Sequence, residues 1–137
     1  IIDYLLVAGD QIDPHQVAHG AKLEILVKVR FDEDVEAPEI GCRINAVDGI
    51  FLYGCSTRLL DQMLDPANAG DLRTYLIEFD CPLRPGDYFV SLGVGNIAGG
   101  NHNILNTRSD LFHLVVVSDR HTFDGLTNLN MRLKALS

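Results

Sequence analysis

Groups that could catalyse a reaction are few in this sequence and poorly placed. Paired carboxylates hydrolyse glycosides, and clusters of carboxylate oxygens bind calcium; the acidic residues here crowd into one run at residues 32–36. Because the run falls between two expected strands, we interpret it as a solvated turn, with a structural calcium site as the alternative. His15 and His19 have the spacing of zinc ligands on a helix, but Pro14 breaks that segment, so we expect no metal there.

The motifs of nucleotide and acyl chemistry are also missing. No G-x-x-x-x-G-K-[ST] phosphate loop occurs, and Gly93-Val94-Gly95 lacks the third glycine of a dinucleotide-binding turn. No serine stands in a G-x-S-x-G turn. We therefore predict that the chain is not an enzyme, that it has no catalytic residue, metal site or cofactor, and that it works by binding.

Short extended runs separated by turn residues predict the framework of the molecule. The clearest run is residues 22–31, in which apolar and charged side chains alternate, and Asp48-Gly49 predicts a two-residue hairpin turn. The other expected strands are residues 2–7, 40–47, 50–55, 73–79, 87–94 and 111–117. Residues 96–109 are expected to form a loop, and residues 128–136 a last strand or a short helix.

This pattern predicts an all-β fold, an immunoglobulin-like or jelly-roll antiparallel β-sandwich of about seven to nine strands. With 137 residues, 47% of them hydrophobic and 22% charged, residues 1–137 are expected to form one domain. Since the sequence starts at Ile1 with neither Met nor a basic leader, we expect it to be part of a longer protein.

One face of the predicted sandwich collects side chains that suit sugar binding. In an immunoglobulin-like order the strands at 40–47, 50–55, 87–94 and 111–117 share a sheet, and alternation turns Arg43, Asn45, Phe89, Ser91 and His113 outward. An aromatic ring packs on the apolar face of a pyranose while polar neighbours bind its hydroxyls. The alternative is an ordinary surface on which such residues are scattered.

The net charge narrows the choice of partner molecule, and the cysteine content bears on disulfide bonding. A net charge of −8 disfavours nucleic acid and favours a neutral ligand, or one that meets only a local Arg or His. The three cysteines do not form the even set of a disulfide framework. A two-residue turn at Asp48-Gly49 would place Cys42 directly opposite Cys55, at a non-hydrogen-bonded pair of the hairpin.

Three segments carry a resemblance to a known family. They are D-E-D-V-E-A-P-E-I-G-C-R-I at residues 32–44, D-G-I-F-L-Y-G-C-S-T at 48–57 and L-R-P-G-D-Y-F-V-S at 83–91, with Gly20 ahead of the charged alternating strand. In this order and spacing they resemble the C-terminal domain of Wzt, the ATPase subunit of bacterial ABC transporters that export O-antigen. Cys42 and Ser56 depart from the family pattern, which often has Phe and Asn at these positions.

The resemblance implies a domain that binds O-antigen polysaccharide, the glycan of lipopolysaccharide, on the cytoplasmic side of the inner membrane. An N-terminal ABC ATPase domain and a transmembrane permease would complete the complex. The resemblance also implies a homodimer, in which residues from about 128 to 137 pair with a sheet edge of the partner. The alternative is a structural dimerisation or docking domain without a glycan ligand, which a buried Phe89 or an ion-paired Arg43 would favour.

Overall fold

The computed structural model describes residues 1–118, 120, 122–125 and 127–136. These residues contain nine β-strands and one 3₁₀ turn. No helix of these residues is long and apolar enough to cross a membrane. The strands are β1 (Asp3–Ala8), β2 (Gln11–Ile12), β3 (Val17–Ala18), β4 (Lys22–Arg30), β5 (Pro38–Ala46), β6 (Phe51–Ser56), β7 (Leu72–Asp80), β8 (Gly86–Asn96) and β9 (Asn103–Val117), with the 3₁₀ turn at Ala98–Gly100.

The strands form two sheets with the order β2-β1-β4-β7 and β3-β9-β8-β5-β6. Neighbouring strands are antiparallel except for the short β3, which pairs with the end of β9 in parallel. The all-β sandwich is therefore confirmed, and so is the prediction that β5, β6, β8 and β9 share a sheet. This sheet carries the face on which the site residues were predicted.

Alternation along the strands builds the core between the two sheets. In one sheet β4 buries Leu23, Ile25, Val27 and Val29, and in the other β8 buries Tyr88, Val90, Leu92 and Val94. Each such side chain contributes about 1.5–3 kcal/mol when it is fully withdrawn from water. Because residues alternate between the faces of a strand, burying Leu92 and Val94 turns Gly93 toward the outer face.

Residues 96–109 were predicted as a loop, and this prediction is wrong for residues 103–109, which form the first part of β9. Strand β9 begins at Asn103, which pairs with Asn96, and runs beside β8 through two register shifts. At one shift Asp110 has a φ of 53°, and its N–H donates to Ser91 Oγ at 2.9 Å. Hydrogen bonding to a neighbouring strand thus outweighs the low β propensity of this Asn- and Ser-containing segment.

Residues 128–136 form neither the strand nor the helix expected from the sequence. Their apolar side chains are exposed, which leaves the segment without the packing that stabilises most regular structure in water.

The β5–β6 hairpin differs from its prediction by one residue at the turn. Ala46 N–H donates to Ile50 O, so three residues rather than two form the loop, and a bulge after Ile44 compensates for the extra residue. Cys42 consequently lies opposite Cys55, as predicted. Thr57 N–H donates to Ile40 O, so the alternation of pairs along the ladder makes the cysteines a hydrogen-bonded pair, not the expected non-hydrogen-bonded one.

We expect Cys42 to resist alkylation in the folded protein. Burial, and secondarily the neighbouring Cys55, raise the pKa of Cys42 to about 11, so at pH 8 only about one molecule in 1,000 carries the reactive thiolate. Mass spectrometry after brief iodoacetamide treatment at pH 8 should find Cys42 unmodified, and modified once urea has unfolded the chain. Rapid labelling of Cys42 in the folded protein would contradict this.

Candidate functional site

A groove of about 480 Å³ lies on the outer face of the five-stranded sheet. Its floor contains glycines from three neighbouring strands: Gly54 of β6, Gly41 of β5, and Gly93 and Gly95 of β8. Glycine weakens a strand interior, and it often marks a place where a ligand comes close to the backbone. The absence of side chains along this floor is what makes the surface concave.

Phe51 and Arg43 form one wall of the groove. The guanidinium carbon of Arg43 lies 4.1 Å from the centroid of the Phe51 ring, within the range of a cation–π contact. The ring lies over Gly54, where an added Cβ would come within 2.8 Å of Phe51 Cζ. Gly54 therefore allows an exposed aromatic ring to lie close to the sheet, with a cation beside it.

A buried carboxylate organises the other end of the groove. Glu39 is only 5% exposed; Ser56 Oγ donates to its Oε2 at 2.8 Å and Arg58 Nε donates to the same atom at 3.0 Å. His102 Nε2 contacts the other oxygen, Oε1. A charge buried this deeply requires such partners, and together they hold three polar side chains in fixed positions around the groove.

The sheet brings all five predicted site residues onto this one face, in two rows. Arg43 and Ser91 are cross-strand neighbours, and both line the groove. Asn45, Phe89 and His113 form the adjacent row, in which Asn45 pairs with Phe89 and Phe89 pairs with His113. This second row lies beside the groove rather than in it.

Within the second row, Phe89 is half-buried and its ring stacks on His113, with centroids 5.1 Å apart. His113 Nε2 lies 2.9 Å from Asp87 Oδ1. Asn45 Oδ1 is buried and has no hydrogen-bond partner in the part of the chain that the structure describes, a condition that costs about 1–3 kcal/mol. The row therefore presents a stacked aromatic pair beside the groove.

Sequence reasoning missed Glu39, Phe51, Arg58, His102 and the glycine floor. The signal for the floor was present, because Gly41, Gly54, Gly93 and Gly95 all fall inside predicted strands or directly beside them, where glycine is disfavoured. The other four residues depend on the fold, because they come from separate segments that meet only when the sheet forms.

The two segments considered as metal sites in the sequence each contain a side chain that contacts the protein backbone. His19 Nδ1 lies 2.7 Å from Leu83 O, and Asp34 Oδ1 in the acidic run accepts the N–H of Ala69 at 2.8 Å. In the part of the chain that the structure describes, no three His, Cys, Asp or Glu side chains cluster as metal ligands would.

Solved structures of two other proteins resemble this chain. The chain shares 26% identity and a TM-score of 0.89 with a crystal structure of the C-terminal domain of Wzt, covering 98% of this chain and 82% of that one. β-Glucuronidase 2 of Bacteroides uniformis, bound covalently to cyclophellitol-6-carboxylate aziridine, shares 19% identity and a TM-score of 0.54 over 77% of this chain and 12% of that one, which shows a common fold alone.

A second Bacteroides uniformis β-glucuronidase structure gives 18% identity and a TM-score of 0.53, again over 77% of this chain and 12% of that one. Among curated protein sequences, none matches the chain. The model of the family described as the Wzt C-terminal domain matches residues 1–129. The chain therefore belongs to the Wzt C-terminal domain family.

Proposed function

We propose that this chain is a non-catalytic carbohydrate-binding domain that recognises O-antigen polysaccharide for export by an ABC transporter. The observation that carries the proposal is the glycine-floored groove with an exposed Phe51 at one end and a fixed polar cluster at the other. Family membership supports the transporter setting. In that setting the domain works in the cytoplasm at the inner membrane, beside an N-terminal ABC ATPase domain and a transmembrane permease.

The groove is suited to a glycan because it combines three kinds of contact. The backbone floor lets sugar rings approach the sheet, the Phe51 ring can pack on an apolar pyranose face, and Arg43 and Ser91 present polar groups for hydroxyls. We propose that the binding face continues into the second row, formed by Asn45, Phe89 and His113, where the stacked Phe89 and His113 rings lie beside the groove. A chain of sugars, rather than one residue, would span both rows.

Binding at one such site should be weak, because the groove is shallow and sugars are well hydrated. We propose that residues 1–137 act as one domain. We also propose that residues 128–137 pair with a sheet edge of a second copy. Ser137, the last residue of this segment, lies outside the described residues. Two sites on a homodimer could then bind one repetitive polysaccharide, and effective concentration would raise the overall affinity.

The alternative, a docking domain without a ligand, has less support from the binding face. Phe89 is half-buried rather than buried. Arg43 is exposed and belongs to none of the ion pairs found among the described residues. The exposed Arg43 therefore keeps N–H groups available for a ligand, which supports a binding site over a docking domain.

A titration of the folded domain with polysaccharide tests the proposal. Calorimetry or NMR should detect saturable binding to the O-polysaccharide of the strain that encodes this chain, and none to an unrelated polysaccharide. Phe51→Ala should weaken binding at least about tenfold, and Phe89→Ala by a smaller factor. Leu76→Ala, at an exposed position of β7 in the other sheet, is the control and should bind normally.

Absence of binding at millimolar site concentrations, by protein that circular dichroism shows to be folded, would reject the glycan-binding function. That result would favour the alternative function, a docking domain without a glycan ligand. Equal binding by the Phe51→Ala and Phe89→Ala variants and the unmodified chain would keep the function but place the site elsewhere.

A further inference from the structure

The groove is positively charged in a strongly acidic chain. The protein has 11 Lys and Arg against 19 Asp and Glu, yet the lining of the groove contains Arg43, Arg58 and His102 with Glu39 as its carboxylate. Asp87, a carboxylate farther along the same face, is in contact with His113. A local field opposite in sign to the net charge marks a place where the sequence favours an anion.

The cations of the groove retain capacity for a ligand. Arg43 lies over Phe51 and, among the described residues, has no carboxylate partner, so its N–H groups are free at the wall. Arg58 binds Glu39 through Nε, which leaves its terminal nitrogens without a hydrogen bond to the described part of the chain. Glu39, which contacts Ser56, Arg58 and His102, offsets the charge of one of the two arginines, so the lining keeps a net positive charge.

Resting on the proposed glycan-binding function, we propose that the groove takes a sugar residue with a negative charge, a carboxylate or a phosphate. Guanidinium groups bind both anions through paired N–H donors, more strongly than they bind a neutral hydroxyl. The exposed Phe51 ring would hold the sugar while Arg43 and Arg58 bind its anionic substituent. Because the chain carries a net charge of −8, an anionic polysaccharide would be disfavoured on its surface in general and favoured in this groove.

The test compares charged and neutralised forms of one glycan. The probe is the O-polysaccharide purified from the strain that encodes this chain, either untreated, carboxyl-reduced or dephosphorylated with hydrofluoric acid. Calorimetry should show that one of the two treatments weakens binding at least about tenfold, and which treatment does so identifies the anion. Binding of the untreated glycan should also weaken between about 20 and 300 mM salt, because screening acts on charge pairs.

Variants of Arg43 make the comparison specific to the groove. Arg43→Gln should weaken binding of the untreated glycan at least about tenfold and that of the neutralised glycan less than about twofold, and Arg43→Lys should restore part of the loss. Lys28→Gln, which removes the same charge from an exposed position of β4 in the other sheet, should change neither.

Equal, salt-insensitive binding of all three glycan forms would overturn the charge inference and leave the glycan-binding function intact. A native polysaccharide that binds but contains no anionic residue would overturn it too. If no form binds to folded protein, the proposed function itself fails, and the two failures are therefore distinguishable.

Discussion

Replacing Gly93 with valine should weaken glycan binding about thirtyfold or more while leaving the domain folded. Gly93 lies in the floor of the groove, and the nearest atom that a Cβ there would meet is Asn106 O at 3.9 Å. Valine suits an extended strand better than glycine does, so we expect the melting temperature to stay the same or rise slightly. Its side chain would occupy the space of a sugar ring and cost about 2 kcal/mol or more of binding, about thirtyfold.

The choice of Gly93 keeps the result interpretable. At Gly95 a Cβ would meet Asn103 O at 3.0 Å and Glu39 Oε1 at 3.3 Å, so a substitution there would disturb β9 and the buried carboxylate along with the groove. Ala18→Val on β3 is the control, because it enlarges an exposed strand residue of the same sheet outside the groove. Calorimetric affinity equal to that of the unmodified domain in Gly93→Val would place the glycan elsewhere.

The fold was predictable where it depends on local pattern. Alternation in residues 22–31 and 87–94 identified both the strands and their buried faces, since one apolar face must cover the core whatever the topology. Residues 103–109 were not predictable in the same way. Their extended form follows from hydrogen bonding to β8 and from the bulge at Asp110, which are contacts between segments and leave no periodic signature.

The candidate site shows the same division. Arg43 and Ser91 were found because each lies in a regular stretch whose facing follows from its neighbours. Phe51 was not, because simple alternation assigns it the side of Tyr53, which pairs with the core residue Ile44. The bulge in the hairpin reverses that facing and makes Phe51 the partner of Asn45.

Glu39 illustrates a different limit. A glutamate at the start of a strand predicts an exposed carboxylate, since charged residues are rarely buried. Its burial results from Ser56, Arg58 and His102, which are 17, 19 and 63 residues away along the chain. Only the folded sheet brings these four residues together, so the polar end of the groove could not be predicted from the sequence.

Deleting residues 129–137 should convert the proposed homodimer into a monomer. The segment exposes Leu129 at 85%, Met131 at 84%, Leu133 at 81% and Leu136 at 94%, and full burial of each would contribute about 1.5–3 kcal/mol. The first three alternate as one face of a strand would. β6 and β7 each end a sheet with an unpaired edge, and addition of this segment from a second copy would satisfy such an edge.

Light scattering coupled to size exclusion, at several protein concentrations, measures this directly. We expect a dimer for the whole chain and a monomer for the truncated one. Leu133→Asp should dissociate the dimer as well, whereas Asn130→Asp adds the same charge off the apolar face and should not. A truncated chain that stays dimeric would assign the interface to another surface.

The truncated monomer should bind a short oligosaccharide as the dimer does but bind long polysaccharide more weakly, because only the dimer presents two grooves to one chain.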